Sequence, residues 1–243
     1  MVIIQMKETF KLLIIALFFT NSLVHAQERA IVIEPAVAPD FFVYRSFGQF
    51  QGTEYSANAM YLITSEGVVL FDVPWQRTQY QDLLDEIKNR HDLPIIGVFA
   101  THWHADRAGD LSFFNDRGIK TYATKKTNAL LKKGGKATSS EIIVPGESYT
   151  IGDKEFVVDF LGEGHTVDNV VVWFPQHKIL NGGCLVKSRT ATDLGNTAEA
   201  NLKQWPKTMT RLKSKYSNAI MVIPGHDQWR GGGHVERTIH LLN

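Results

Sequence analysis

Cysteine is nearly absent from this chain of 243 residues, since Cys184 is the only one. A single cysteine excludes an internal disulfide framework. Long runs of like charge and low-complexity tracts are also missing, and the formal net charge is only +1. Nothing in this balance indicates a nucleic-acid partner. The length suits one large domain or two fused halves, and a content of 44% hydrophobic and 21% charged residues is ordinary for a globular protein.

The sequence also lacks an apolar run long enough to cross a membrane. Its apolar stretch at 12–19 follows Lys7 and Lys11 and precedes the small-residue site Val24-His25-Ala26. This pattern predicts a cleaved secretory signal peptide over residues 1–26 and a mature chain, residues 27–243, in the periplasm. The alternative is a membrane anchor. Met6 is a second candidate start. A lipoprotein would need a cysteine at the cleavage site, and none is there.

Removal of residues 1–26 would leave a formally neutral chain, so attraction for a charged substrate must be local. The sequence shows no obvious interface stripe. We therefore expect a monomer.

Hydrophobic periodicity and turn residues predict an α/β protein. Two similar halves would pack sheet to sheet, with helices outside. Segment 47–57, with the exposed-looking Phe50 and Tyr55, is either a mobile flap or a plain hairpin loop. Strands are predicted at 30–34, 41–46, 58–64, 67–73, 95–101, 142–144, 147–151, 155–160, 170–174, 178–180 and 220–223. Helices are predicted at 77–90, 107–115, 124–132, 202–212 and 233–242.

Metal-capable side chains alternate in the stretch Thr101-His102-Trp103-His104-Ala105-Asp106. In an extended backbone, residues two apart point to the same side, so His102, His104 and Asp106 would converge. A helical zinc motif would need histidines four apart, so this is a loop site. It follows the strand predicted at 95–101.

Three further loops carry a histidine or a cysteine beside glycines. They contain His165 in Gly164-His165, Cys184 in Gly183-Cys184 and His226 in Gly225-His226. Imidazole, thiolate and carboxylate are the ligands that zinc takes. Six ligands are too many for one tetrahedral zinc, but they suit two zincs that each keep an open position. By base rate Cys184 alone would be a buried bystander, with an intermolecular link as a further alternative. Gly182 and Gly183 argue otherwise, because two glycines after an apolar strand predict a sharp turn that can aim the thiol into a cleft.

With these residues in this order, the chain resembles a metallo-β-lactamase of the subclass with a three-histidine zinc and an Asp-Cys-His zinc. The resemblance covers nearly all of residues 27–243 and implies a four-layer αββα sandwich. It assigns the first zinc to His102, His104 and His165. It assigns the second zinc to Asp106, Cys184 and His226.

Two positions separate this subclass from similar hydrolases. Relatives such as glyoxalase II typically carry histidine directly after the motif aspartate, where this chain has Arg107. They also bridge their metals with an aspartate, where this chain offers Cys184. Both differences favour the β-lactamase. The alternatives are another hydrolase on the same site, such as a lactonase or thioesterase, and an exported zinc-binding protein that is not an enzyme.

The resemblance implies zinc-dependent hydrolysis of the β-lactam amide bond in penicillins, cephalosporins and carbapenems, which gives antibiotic resistance. Lys187 would bind the substrate carboxylate, and Asn196 would lie near the lactam carbonyl. Without the resemblance, these would be an ordinary lysine and a helix N-cap. Asp106 would also orient the attacking hydroxide. Because this hydroxide is the nucleophile, no serine nucleophile is expected.

The remaining polar and aromatic positions receive weaker assignments. Asp72 either supports the metal loops or caps a turn, and Thr101 is expected to bond near the metal ligands. Trp75 is expected in the core. The histidines outside the glycine-flanked loops are predicted to be surface or structural residues. They are His91, His177, His234 and His240.

Overall fold

Residues 29–243 are described by the computed structural model, and the predicted signal peptide lies outside them. No helix within 29–243 is long and apolar enough to cross a membrane. The strands are β1 Val32–Pro35, β2 Phe41–Phe50, β3 Thr53–Thr64, β4 Gly67–Phe71, β5 Ile95–Phe99, β6 Lys120–Thr124, β7 Glu141–Ile143, β8 Ser148–Ile151, β9 Lys154–Asp159, β10 Val171–Phe174, β11 Ile179–Gly183 and β12 Met221–Pro224. The helices are α1 Gln79–His91, α2 Ala105–Ala108, α3 Ser112–Asn115, α4 Lys125–Lys133, α5 Trp205–Lys215 and α6 His234–Leu242.

Two mixed sheets form the middle of the fold. The first has the order β1-β2-β3-β4-β5-β6-β7, and the second has the order β12-β11-β10-β9-β8. Strands β1 to β4 pair antiparallel, whereas β4 to β7 pair parallel. In the second sheet, the β11–β12 pair is parallel. The carboxyl ends of β5, β11 and β12 each lead directly into a loop that carries predicted ligands.

Aromatic side chains fill the space between the two sheets. Phe71 from the first sheet meets Phe156 and Phe174 from the second edge-on, with ring centroids 5.0 and 5.2 Å apart. Full burial of such a side chain contributes roughly 1.5–3 kcal/mol. Helix α1 buries Tyr80 and Leu83 against the outer face of the first sheet. Helix α5 covers the second sheet in the same way. The layers are therefore helices, sheet, sheet and helices, and the predicted αββα class is confirmed.

The predicted helix at 107–115 is wrong, because two short turns, α2 and α3, replace it. At the break, the Tyr80 hydroxyl accepts the N–H of Asp110 at 3.0 Å. A Cβ on Gly109 would lie 2.7 Å from that hydroxyl, so glycine permits the approach. Asp106 lies in the first turn of α2, so the extended backbone with alternating side chains ends at His104. Leu202 is also misplaced by the sequence pattern, since it is 51% exposed and precedes α5.

Segment 47–57 forms the end of the long β2–β3 hairpin. Gln51 and Gly52 both have positive φ, 50° and 79°, which is typical of the tight type I′ turn that suits the twist of paired strands. Phe50 and Tyr55 remain 37% and 43% exposed near the tip. Segment 47–57 is therefore part of a hairpin, which was one of the two alternatives from the sequence.

Candidate active site

The predicted ligands meet at one edge of the sandwich, above the sheets. Their loops follow β5, β9, β11 and β12. They open into one cleft of about 1180 Å³. The carboxyl edge of parallel strands is where α/β folds commonly place their sites. The fold thus brings together residues that lie up to 124 positions apart, from His102 to His226.

Three imidazoles form the first ligand group. The ring centroids of His102, His104 and His165 lie 4.8 to 5.1 Å apart. His165 Nε2 lies 3.3 Å from His104 Nδ1. Both ring nitrogens of His102, which is 1% exposed, lack a hydrogen-bond partner. A buried nitrogen without a partner is costly, and a neutral imidazole carries a lone pair on one ring nitrogen, so His102 fits a metal ion that would accept that lone pair.

An almost equilateral triangle of ligand atoms forms the second group. Asp106 Oδ2 lies 3.4 Å from Cys184 Sγ and 3.3 Å from His226 Nε2, and the sulfur lies 3.2 Å from that nitrogen. Tetrahedral zinc with bonds of about 2.0–2.3 Å separates its ligands by about 3.3–3.7 Å. The triangle therefore has the size that zinc requires.

The two groups adjoin each other. A ring nitrogen of His102 lies within 4.8 Å of ligand atoms of both Asp106 and Cys184. His226 Nδ1 is bonded to the carbonyl of Ser56 at 2.7 Å. A ring nitrogen that donates to a carbonyl fixes the tautomer and leaves the opposite nitrogen free to bind a metal.

Glycines let the Cys184 loop approach its neighbours. Gly183 has φ of +52°, a left-handed conformation that favours glycine. A Cβ on Gly225 would lie 2.7 Å from the Cys184 backbone and from its sulfur. Cys184 itself is buried and unpaired. The predicted sharp turn that aims this thiol into the cleft is present.

Two carboxylates hold the histidine loop in place. Asp72 Oδ1 accepts the N–H of Thr101 at 2.7 Å, which is the loop support predicted for Asp72. Thr101 makes this contact through its backbone N–H. Glu199 Oε2 lies 2.6 Å from His104 Nε2. The sequence did not identify Glu199, because it stands 95 residues from its partner in a loop without a motif.

Arg107 lies fully buried behind the second ligand group. Its Nε lies 3.0 Å from Asp106 Oδ2 and 3.2 Å from Cys184 Sγ. Its two terminal nitrogens donate to the carbonyls of Asn58 and Gly225. Burial alone would raise the pKa of Asp106, but the Arg107 and His226 charges hold that pKa well below its usual range. The sequence predicted a distinguishing role for Arg107 but not these contacts.

Lys187 and Asn196 both line the cleft. Lys187 is 8% exposed, and its Nζ lies 5.4 Å from the centre of the Trp205 ring. Asn196 is exposed, and its Oδ1 accepts the N–H of Ala198 in a local turn. The helix N-cap alternative for Asn196 is wrong, because the next helix begins at Trp205.

Trp75 forms a wall of the cleft, so the core assignment is wrong. It is half-buried, its ring centroid lies 5.6 Å from that of His226, and Gly48 leaves it room. The four other histidines lie outside the cleft lining. His91 forms a hydrogen bond with the Tyr61 hydroxyl at 2.8 Å, and His177, between β10 and β11, contacts Phe41 across the two sheets. His234 is buried and His240 is exposed.

Two adjoining groups of metal-capable residues on an αββα sandwich are typical of one class of protein, the metal-dependent hydrolases. The profile of the metallo-beta-lactamase superfamily matches residues 52–226. The chain therefore belongs to the metallo-beta-lactamase superfamily, and the resemblance seen in the sequence is confirmed.

Relatives within that family extend over almost the whole chain. Metallo-beta-lactamase IND-1 of Chryseobacterium indologenes is 62% identical and covers 98% of this chain and 99% of its own length. A type 2 metallo-beta-lactamase of Elizabethkingia meningoseptica is 39% identical and covers 98% and 96%. The crystal structure of metallo-beta-lactamase IND-7 superposes with a TM-score of 0.87 at 66% identity, covering 89% of this chain and 99% of that one.

Proposed function

We propose that this chain hydrolyses the amide bond of β-lactams with zinc and thereby confers antibiotic resistance. The observation that carries the proposal is the pair of ligand groups that share one cleft. The relatives named β-lactamases support the substrate class. The chain's own residues supply the ligands, the substrate contacts and the buried supports.

The proposed ligand sets give each of two zinc ions three protein atoms. His102, His104 and His165 hold the first ion. Asp106, Cys184 and His226 hold the second. Support comes from the unpaired nitrogens of the first group and the 3.2–3.4 Å triangle of the second. Bound zinc would polarise the lactam carbonyl and lower the pKa of water to about 7.

The substrate contacts come from one side of the cleft. In this proposal, Lys187 binds the carboxylate that β-lactams carry, and the near burial of its Nζ against Trp205 supports that role. Asn196 uses its oxygen within its own turn, so its amide N–H groups remain to donate to the lactam carbonyl. In this proposal, Asp106 also orients the attacking water. The chain thus binds and orients the substrate without a covalent nucleophile.

Export and oligomeric state also belong to this proposal. The composition of residues 1–26 supports a signal peptide and a periplasmic mature chain. The neutral mature chain supports a monomer. Sedimentation of the purified mature protein, with N-terminal sequencing of the exported product, tests both.

Turnover of several substrate classes tests the activity itself. The zinc-loaded protein is given a penicillin, a cephalosporin and a carbapenem, with a lactone and a thioester alongside. We expect β-lactam turnover that a strong chelator abolishes. Turnover of the lactone or thioester alone would indicate another hydrolase, and tight zinc binding without any turnover would indicate a zinc-binding protein.

Zinc stoichiometry tests the ligand assignment. Cys184→Ser and His226→Ala should lower the affinity of the second ion and reduce activity while the first site stays filled. His240→Ala is the matched control, because His240 is exposed and lies outside the cleft. A stoichiometry of two with full turnover in Cys184→Ser would refute the assignment.

A further inference from the structure

A second lysine, Lys136, lines the active-site cleft together with Lys187, and it comes from a different part of the sequence. Helix α4 ends at Lys133, and Gly135 turns the chain with φ of +69°. The backbone N–H of Lys136 then bonds back to the carbonyl of Leu131 at 2.9 Å. This helix end fixes the direction in which Lys136 leaves the backbone.

The ammonium of Lys136 rests on an aromatic ring of the metal loop. Its Nζ lies 5.7 Å from the centre of the Trp103 ring. The end of α4 packs on the same ring, because a Cβ on Gly134 would lie 3.5 Å from it. Trp103 stands between His102 and His104 in the chain. Lys136 therefore lies beside the first ligand group.

Lys136 has no carboxylate partner among residues 29–243. Neighbouring Lys126 is paired with Glu163 at 3.1 Å, but no described ion pair includes Lys136. The side chain is half-buried, and burial lowers its pKa against the pull of Asp106. Asp106 acts on Lys136 without forming an ion pair with it, so this partly desolvated cation still favours an incoming anion.

The two cleft lysines come from different halves of the fold. Lys187 follows β11 and packs on Trp205, and Asp106 and Asp227 are among the carboxylates that act on it. Lys136 follows α4 and packs on Trp103. A substrate with one anionic group could satisfy only one of them at a time. A substrate with two anionic groups on opposite ends could satisfy both.

We propose that Lys136 is a specificity-determining residue that binds a second anionic group, a carboxylate or sulfonate, on the side chain of a β-lactam whose ring carboxylate is bound by Lys187. This inference deepens the proposed function and rests on it. It predicts a preference for dianionic over monoanionic β-lactams of the same skeleton. Loss of the Lys136 charge should remove that preference.

Carbenicillin and benzylpenicillin provide the matched substrates, because they differ by one carboxylate on the side chain. Lys136→Gln removes the charge and keeps most of the length, and Lys136→Glu reverses the charge. Lys133→Gln is the matched control, since Lys133 is exposed at the end of the same helix and does not line the cleft. The readout is the ratio of KM for carbenicillin to KM for benzylpenicillin.

We expect this ratio to rise by about 3- to 10-fold in Lys136→Gln and further in Lys136→Glu, with kcat little changed, since a partly exposed ion pair contributes that much. Lys133→Gln should keep the wild-type ratio. A wild-type ratio in Lys136→Gln, with normal benzylpenicillin turnover, overturns the proposal for Lys136 alone. Absence of penicillin turnover in the wild-type protein overturns the proposed function, and this inference with it.

Discussion

The carboxylate of Glu199 lies 2.6 Å from Nε2 of His104, and Nδ1 of the same ring faces His165 at 3.3 Å. A carboxylate on the outer nitrogen of a metal-binding imidazole fixes its tautomer and makes the inner nitrogen a stronger ligand. Glu199 belongs to the same loop as Asn196. The loop that carries Asn196, a proposed substrate contact, thus also positions a predicted metal ligand.

Replacement of Glu199 should therefore weaken metal binding at the three-histidine group. We expect Glu199→Ala to lower the affinity of the first ion by about tenfold. Glu199→Gln, whose amide oxygen can still accept a hydrogen bond, should lose less. Competition with a chelating dye measures the affinity. Glu147→Ala, an exposed position outside the cleft, is the control, and equal affinities in all three variants would contradict the role.

Gly225 should tolerate no side chain, because its Cβ would meet Cys184 at 2.7 Å. We expect Gly225→Ala to displace the sulfur, to reduce the occupancy of the second ion and to cost about 1–3 kcal/mol of unfolding free energy. Gly232→Ala is the matched control, since nothing lies within 4 Å of its Cβ position and its φ is not positive. Metal content and urea unfolding provide the measurements. Similar behaviour of the two variants would argue against this packing.

Lys187 should affect substrate affinity more than turnover. Lys187→Met keeps most of the side-chain length and removes the charge that lies over the Trp205 ring. Since a ground-state carboxylate contact is lost, we expect KM to rise by about tenfold with kcat little changed. Steady-state kinetics on one penicillin measure both constants, with Lys207→Met as an exposed control. A large fall in kcat at constant KM would be inconsistent with this role.

Glu34 should contribute stability that depends on pH. The Trp229 indole donates to it at 3.0 Å, and this bond lowers the pKa of Glu34, with help from Arg230 and Arg45 and against the effect of burial. A carboxyl whose pKa is lowered on folding stabilises the protein above its unfolded pKa and loses that effect as pH falls through the folded pKa.

The comparison of the wild-type protein with Glu34→Gln measures this effect. We expect wild type to be more stable by about 1 kcal/mol near neutral pH, with the difference shrinking below about pH 4.5. Urea unfolding across that range provides the data. A difference that stays constant with pH would show that the carboxylate charge is not responsible.

The sequence predicted which residues the fold brings together at the candidate site, because each predicted ligand stands in a short motif at the end of an apolar strand. Arg107 and Glu199 show what it could not reach. Their contacts with Gly225 and His104 join positions 118 and 95 residues apart, and no local pattern encodes such pairs. The break at Gly109 was missed for a similar reason, since the competing partner is a tyrosine on another helix. Periodicity describes a segment, whereas these features depend on its neighbours.

Arg107 has a consequence for how the second ligand group is held together. Its guanidinium pairs with Asp72 and Asp106 and donates to the carbonyls of Asn58 and Gly225. In small zinc domains the metal supplies the folding energy, and the chain without metal is unstructured. Here one buried side chain links the segments that carry the proposed ligands of the second ion. The chain's own charges therefore help to hold this site together, whereas in a small zinc domain that task falls to the metal.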